Sequence, residues 1–179
     1  MSAPIVGPRT ELRPLQHSDE AAFLAAAAAS RALHHPWFSC PQTDVDFQAL
    51  VARQGDSFAA LLLVDRESGL PAGVFNYSQI FMRAFRSAYL GYGAFSGFAG
   101  SGRMTEGLQL ALRWGFGRIG LHRVEANIRP ENVRSIALVR RVGFEREGFS
   151  KNYLFLDGAW RDHERWAIRE EIFTPPPSL

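Results

Sequence analysis

The sequence predicts an α+β (α/β) domain, with a mixed, mostly antiparallel sheet of about six to seven strands and helices on both faces. Stretches of helical spacing are interspersed among apolar runs typical of strands. Asp157-Gly158 separates two β-rich runs, and a two-residue Asp-Gly loop favours a hairpin. A glycine-rich loop joins a strand to a helix, and a further strand follows. This order indicates one central parallel βαβ crossover of right-handed sense.

The first half of the chain predicts mostly hairpin-connected strands and two helices. Thr43-x-x-Asp46 resembles a capping box and opens the second helix. The polar segment 66–69 predicts a turn between two antiparallel strands. The predicted elements are a strand at 10–15, a helix at 19–30, a loop at 31–41, a helix at 43–52 and strands at 57–65 and 72–81.

The second half predicts the crossover and a terminal hairpin. Apolar residues from Met104 to Ile119 recur at helical spacing. Gly120 and Gly143 each follow such a stretch, which is the usual place of a helix C-terminal glycine. The predicted elements are a strand at 86–95, a helix to about 118, a strand at 122–128, a helix at 133–142 and strands from 144, at 149–156 and at 159–169.

Composition narrows the class of protein. At 179 residues the chain predicts a single domain, 1–179, with 174–179 as a disordered tail. The net charge is +2 and the basic residues are scattered, which argues against direct nucleic-acid binding. The apolar run 21–29 is too short to span a bilayer, and no signal peptide is expected. Cys40 is the single cysteine, so no Cys-based metal site is expected and a cytoplasmic location is favoured.

Gly97, Gly100 and Gly102 lie between the strand and the helix of the crossover. Glycine permits positive φ and close approach of a ligand, and a helix N-terminus offers free N–H groups to a phosphate. A dinucleotide fingerprint is excluded because Thr105 stands where its third glycine belongs. A Walker loop is excluded because Gly102 precedes Arg103 and Met104.

Three motifs in order identify a family resemblance. They are G-x-x-G-x-G-R-M-T-E at 97–106, L-H-R-V-E-A-N-I-R-P-E-N-V-R-S at 121–135 and V-G-F-E-R-E-G-F at 142–149. Together they resemble the GNAT superfamily of acyl-CoA N-acetyltransferases, and within it the RimJ/RimL branch of ribosomal-protein N-terminal acetyltransferases. The resemblance implies that acetyl-CoA occupies a V-shaped gap between the strand to 95 and the strand from 122.

The resemblance also implies how the donor is held. The amides of the glycine loop would bind the pyrophosphate, and the backbone of Ala94 and Phe95 would pair with the pantetheine arm. Gly97 stands where the superfamily usually has Gln or Arg, which removes a side-chain contact and leaves the amides. Asn132 would cap its helix and contact the pantetheine arm. The implied donor-binding residues are Ala94, Phe95, Gly97, Gly100, Ser101, Gly102, Arg103, Met104, Asn132 and Arg134.

Ser135 and Tyr92 are the predicted catalytic residues. Many GNAT enzymes place a tyrosine at the position of Val139, which cannot donate a proton. In the RimJ/RimL branch a serine at the place of Ser135 is thought to stabilise the departing thiolate. Leu154 stands near the place where these relatives carry a carboxylate base. The base therefore stays open among Tyr92, His34, His35, Glu125 and a chain of waters.

The acceptor side is less determined by the sequence. The loop 31–41 is expected to border the acceptor pocket, although a surface pair is the commoner reading of His34 and His35. Arg134, Arg140 and Arg141 could meet the 3′-phosphate of CoA or solvate a helix face. An aromatic group could wall the acceptor site or belong to the core; it comprises Phe75, Tyr77, Phe81, Phe85 and Tyr89.

The predicted function is acetyl-CoA-dependent transfer of an acetyl group to a primary amine, by direct attack through a tetrahedral intermediate. The preferred acceptor, by resemblance, is the α-amine of a protein or peptide N-terminus. The alternatives are a small-molecule amine (a polyamine, an amino-acid derivative or an aminoglycoside) and a non-catalytic CoA-binding module. No metal and no membrane partner are expected, and a homodimer is left open.

Overall fold

A computed structural model describes residues 3–175, which contain one eight-stranded sheet and five α-helices. The helices are α1 (Glu20–Ala29), α2 (Arg31–His34), α3 (Asp44–Ala52), α4 (Arg103–Trp114) and α5 (Val133–Val142). The strands are β1 (Ile5–Val6), β2 (Thr10–Pro14), β3 (Phe58–Asp65), β4 (Pro71–Phe81), β5 (Ser87–Ala94), β6 (Arg123–Ile128), β7 (Glu145–Leu156) and β8 (Ala159–Arg169).

The sheet has the order β1-β2-β3-β4-β5-β6-β8-β7, and β5–β6 is its parallel pair. The predicted mixed, mostly antiparallel topology is therefore confirmed, while the predicted count of six to seven strands is low by one or two. One unpredicted strand is β1, where Ile5 pairs with Leu12 and Val6 with Glu11. Two residues are too few to show the alternation that marks a strand.

Helices cover both faces of the sheet, as predicted. The strand β3 is buried on both sides, with Leu61 and Leu63 in one core cluster and Leu62 and Val64 in the other. One cluster packs α4 and α5 onto the sheet, and the other packs α1 and α3 onto the opposite face. This explains why the sequence of β3 is continuously apolar.

Helix ends follow their capping residues. Asn132 Oδ1 accepts the N–H of Ser135 at 3.2 Å, and α5 ends at Gly143 with φ of 99°. Thr43 caps α3 by accepting the N–H of Asp46. The predicted loop 31–41 contains the short helix α2, which corrects that expectation. No helix among residues 3–175 is long and apolar enough to cross a membrane.

The parallel pair at the centre of the sheet is short. Ser87 to Tyr89 pair with Arg123 to Glu125, and no pairing continues beyond them, although β5 runs on to Ala94 and β6 to Ile128. The two strands therefore open a gap between them. This is the position that the sequence analysis expected for the donor.

Candidate active site

A cavity of about 1330 Å³ opens between the unpaired ends of β5 and β6. Its walls also include the N-terminal ends of α4 and α5 and the segment around α2. Most of the predicted site residues line it. These are Tyr92, Ala94, Gly100, Gly102, Met104, Asn132, Arg134 and Ser135.

Four predicted donor-binding residues lie outside the lining: Phe95, Gly97, Ser101 and Arg103. Phe95 requires a correction, because its N–H donates to Ala72 O at 2.9 Å and its side chain is 2% exposed in the core. The Arg103 guanidinium is paired with Asp65 at 2.6 Å. This pairing holds the Arg103 side chain against β3 and outside the cavity lining.

The free edge of β5 is at Ala94. Hydrogen bonding alternates along an antiparallel pair, and Phe95 donates to β4. Ala94 therefore directs its N–H and C=O away from β4, toward the gap. Its carbonyl already accepts the Nε2–H of His34 at 2.7 Å. A ligand arm in the gap would have the N–H of Ala94 as its donor.

The glycine loop ends in two left-handed residues, Gly100 with φ of 76° and Gly102 with φ of 83°. Arg9 lies against this loop and donates from Nη1 to Ser101 O at 3.2 Å. The Arg9 side chain also lines the cavity. It was missed in the sequence analysis because it precedes β2, far from the loop in the chain. Its guanidinium adds positive charge beside the N-terminus of α4.

Glu106 is a carboxylate of the cavity wall whose oxygens are occupied. Its Oε1 accepts the N–H groups of Arg9 and Thr10 at 2.9 and 2.8 Å and the Thr10 hydroxyl at 2.8 Å. Burial raises the pKa of Glu106, but these hydrogen bonds outweigh burial and the net shift is downward. Glu106 thus braces α4 against β2 and is a poor proton acceptor.

Tyr92 and Ser135 meet across the cavity, with their hydroxyl oxygens 2.6 Å apart. Tyr92 comes from β5, and Ser135 is held in the first turn of α5 by the Asn132 cap. Burial raises the pKa of Tyr92, and the hydrogen bond to Ser135 offsets part of that rise. Tyr92 is therefore a neutral hydroxyl at physiological pH. Val139, one turn beyond Ser135, is fully buried in the core.

Of the other side chains named as possible bases, His34 lines the cavity, whereas Glu125 and His35 do not. Glu125 lies 3.1 Å from Arg123 in an ion pair and outside the cavity lining. His34 is 5% exposed, so its interpretation as a surface residue is wrong, and its Nδ1 is buried without a partner. His35 and Leu154 do not line the cavity. Leu154 is 40% exposed on β7.

The aromatic group proposed for the acceptor wall is divided. Phe75 and Tyr77 are fully buried in the core, whereas Phe81 and Phe85 are exposed, and Tyr89 contacts Tyr153. None of the five lines the cavity. The aromatic wall is instead supplied by Trp37 and Phe38, from the segment that the sequence analysis expected at the acceptor side.

His163 of β8 is a cavity residue that the sequence analysis missed. It is 3% exposed, and its Nδ1 lies 3.0 Å from Arg161 O. Its ring packs at 5.8 Å against Tyr153 of β7. Burial lowers the pKa of His163. No local motif marks this residue, because it reaches the cavity only through the register of the last three strands.

This fold and site define a class of protein, the acyltransferase domains in which a splayed sheet and a helix N-terminus face one cavity. The family model described as "Acetyltransferase (GNAT) domain" matches residues 9–145. The chain belongs to this family. The family resemblance predicted from the three motifs is confirmed.

Relatives agree with this assignment. The chain is 39% identical over 123 residues to the [ribosomal protein uS5]-alanine N-acetyltransferase of Escherichia coli K12. The matched segment covers 69% of this chain and 63% of that protein. The chain thus matches somewhat less than two thirds of that relative's length.

Solved structures give the same result. Mycobacterium smegmatis RimJ in complex with CoA-disulfide has a TM-score of 0.79 and 31% identity, with 94% of this chain and 87% of that chain covered. The ribosomal-protein-S5-alanine acetyltransferase of Vibrio fischeri has a TM-score of 0.83 at 24% identity, with 97% and 100% covered, and supports the fold.

Proposed function

We propose that this protein is an acetyl-CoA-dependent N-acetyltransferase that acts on primary amines. The observation that carries the proposal is the Tyr92–Ser135 hydroxyl pair, placed in the gap where β5 leaves a strand edge unpaired. The relatives named above as N-acetyltransferases favour the same reaction.

The described residues fit the donor chemically. The left-handed glycines and the N-terminus of α4 present N–H groups to a diphosphate, and Arg9 adds a cation beside them. Arg134 and Arg141 line the same cavity and supply further positive charge. The N–H of Ala94 faces the gap, where an amide-bearing pantetheine arm could pair with it.

The hydroxyl pair suits the departure of a thiolate. An amine that attacks the thioester carbonyl expels sulfur with a negative charge, which a neighbouring O–H stabilises by hydrogen bonding. Ser135 and Tyr92 are hydrogen-bonded to each other, so one hydroxyl can donate to the sulfur while the second hydroxyl donates to the first. Because burial keeps Tyr92 protonated, the pair acts as a donor.

The acceptor favoured by the relatives is the α-amine of a peptide or protein N-terminus, with alanine as the first residue to test. The cavity walls of the described chain contain two carboxylates, Glu106 and Glu131. Both are paired with arginine, at 3.2 Å to Arg9 and 3.5 Å to Arg129. A polyamine would need a free carboxylate for its second charge, so an acceptor with one positive charge fits better. An enzyme with ribosomal proteins as acceptors would act in the cytoplasm.

Free-thiol release from acetyl-CoA tests the proposal. The acceptors are a hexapeptide with N-terminal alanine, the same peptide with a blocked N-terminus, and spermidine. We expect turnover with the free peptide and none with the blocked peptide. Turnover with spermidine alone would redirect the function to small amines. Binding of CoA without turnover on any acceptor would favour a non-catalytic CoA-binding module.

A further inference from the structure

The proposed reaction needs a proton acceptor, and Leu154, which stands near the place where the RimJ/RimL resemblance implies a carboxylate, cannot serve. An α-amine has a pKa of about 7.7–8.0, so at pH 7 only about a tenth of it is unprotonated. A base on the acceptor side of the gap would take a proton from the ammonium form, which is the larger part, and make it reactive. This inference rests on the proposed function.

His163 has a defined tautomer. A carbonyl oxygen only accepts hydrogen bonds, so the contact of 3.0 Å between Nδ1 and Arg161 O places the proton of the neutral ring on Nδ1. The lone pair is then on Nε2. This atom makes no hydrogen bond within residues 3–175 and is not among the buried unpartnered atoms there, so it keeps some exposure, and His163 is a lining residue of the cavity.

The register places His163 on the opposite face of the sheet from Ser135. Asn127 pairs with Arg165, so these two share a face, and His163 shares it because it lies two residues before Arg165. The neighbouring pair, Ala126 and Trp166, lies in the core cluster that packs against α5. The gap between β5 and β6 thus has a histidine on one side and the hydroxyl pair on the other.

Charged groups act on the imidazole from its own strand and from a neighbouring segment. Asp162 precedes it on β8, and Arg129 and Glu131 belong to the segment before α5, while the ring of Tyr153 on β7 packs against it. Burial lowers the pKa of His163 from its usual 6.5, and the positive charge of Arg129 lowers it further. The Arg161 carbonyl, Asp162 and Glu131 act in the opposite sense. The net shift is downward, so the ring is neutral at pH 7.

We propose that Nε2 of His163 is the general base that accepts the first proton of the acceptor ammonium. The N–H bond of the ammonium breaks, its electron pair stays on nitrogen, and the proton passes through His163 to solvent. The amine then attacks the thioester carbonyl and the C–S bond breaks. The nitrogen loses a second proton as the thiolate gains one, so one proton is released per turnover.

The substitution His163→Asn tests the assignment, because the Asn amide can still donate to Arg161 O but cannot accept the proton. The acceptor is the hexapeptide with N-terminal alanine. We expect kcat/KM to fall about tenfold at pH 7, which is the fraction of free amine there, and to approach the wild-type value above pH 9. The Kd for CoA should not change. His122→Asn, an exposed histidine paired with Glu171, is the matched control.

The possible results distinguish a general base from a residue with a purely structural role. A ratio between H163N and wild type that changes with pH supports the assignment. A ratio that is the same from pH 6 to 9, or equal activity of the two proteins, overturns it. If wild type releases no thiol with any acceptor, the proposed function itself fails and the base assignment fails with it.

Discussion

The Tyr92 hydroxyl lies 2.6 Å from Ser135 Oγ, which joins the free edge of β5 to the first turn of α5. The two oxygens belong to residues that are 43 positions apart in the chain. Since Asn132 fixes the start of α5, the Ser135 side chain is positioned before any ligand binds. Preorganised hydroxyls of this kind stabilise developing charge without a cost of reorientation.

The substitutions Ser135→Ala and Tyr92→Phe should each lower kcat about a hundredfold to a thousandfold, the range of a single positioned donor. The double variant should lose no more than the worse single variant, because the two hydroxyls act as one unit. Thiol-release kinetics on the alanine peptide measure this. Ser57→Ala, on an exposed residue, is the control. Unchanged turnover of S135A would refute its role as donor.

Two glycines of the same loop should differ in their tolerance of a methyl group. Gly102 has φ of 83°, and an added Cβ would lie 3.2 Å from Arg9 Nη2. Gly102→Ala should therefore cost about 1–2 kcal/mol in backbone strain and weaken CoA binding. Gly97→Ala meets nothing within 4 Å and should behave as wild type. Calorimetric CoA titration and thermal unfolding measure both; equal effects would contradict the assigned conformations.

A second pair of glycines tests the acceptor wall. An added Cβ at Gly93 would lie 2.7 Å from the Phe38 ring, whereas at Gly91 the nearest atom of that ring is 4.0 Å away. Gly93→Ala should displace Phe38 and raise the KM for the peptide several-fold, with overpacking of about 1–3 kcal/mol. Gly91→Ala should change neither value. A rise in KM for both variants would exclude a specific role of Phe38.

Asp65 predicts a pH dependence of stability. Hydrogen bonds from Ser68 and the Arg103 guanidinium lower the pKa of Asp65 from 3.8 to about 2. A carboxyl with a depressed pKa stabilises the folded protein above its unfolded pKa, and this stability is lost as pH falls from about 4 to 2. Asp65→Asn should reduce the dependence of the thermal unfolding midpoint on pH over this range. Asp56→Asn, on an exposed residue, should retain the wild-type slope.

Local signals were sufficient for much of the fold. The helix Val133–Val142 was predicted to the residue, because Asn132 and Gly143 mark its two ends. The hairpin at Asp157-Gly158 and the crossover through α4 also follow from short-range chemistry. The two-residue strand β1 and the single turn of α2 were missed, since neither is long enough to show a period.

The site was predicted where it depends on motifs and missed where it depends on register. Gly102 and Ser135 are in recognisable motifs and line the cavity. His163 and Arg9 carry no motif, and they reach the cavity only because distant segments pack together. The sequence predicts a surface position for His34, because two adjacent histidines in a loop do not indicate that one of them donates a hydrogen bond to the distant Ala94 carbonyl.

The three-residue junction between β5 and β6 makes amide hydrogen exchange a direct reporter of occupancy. In the free protein the peptide groups of Ala94 that face the gap have no neighbouring strand. A donor molecule that paired with this edge of the sheet would slow hydrogen exchange of the Ala94 N–H, even when no acceptor is present. The donor step can in this way be followed separately from catalysis.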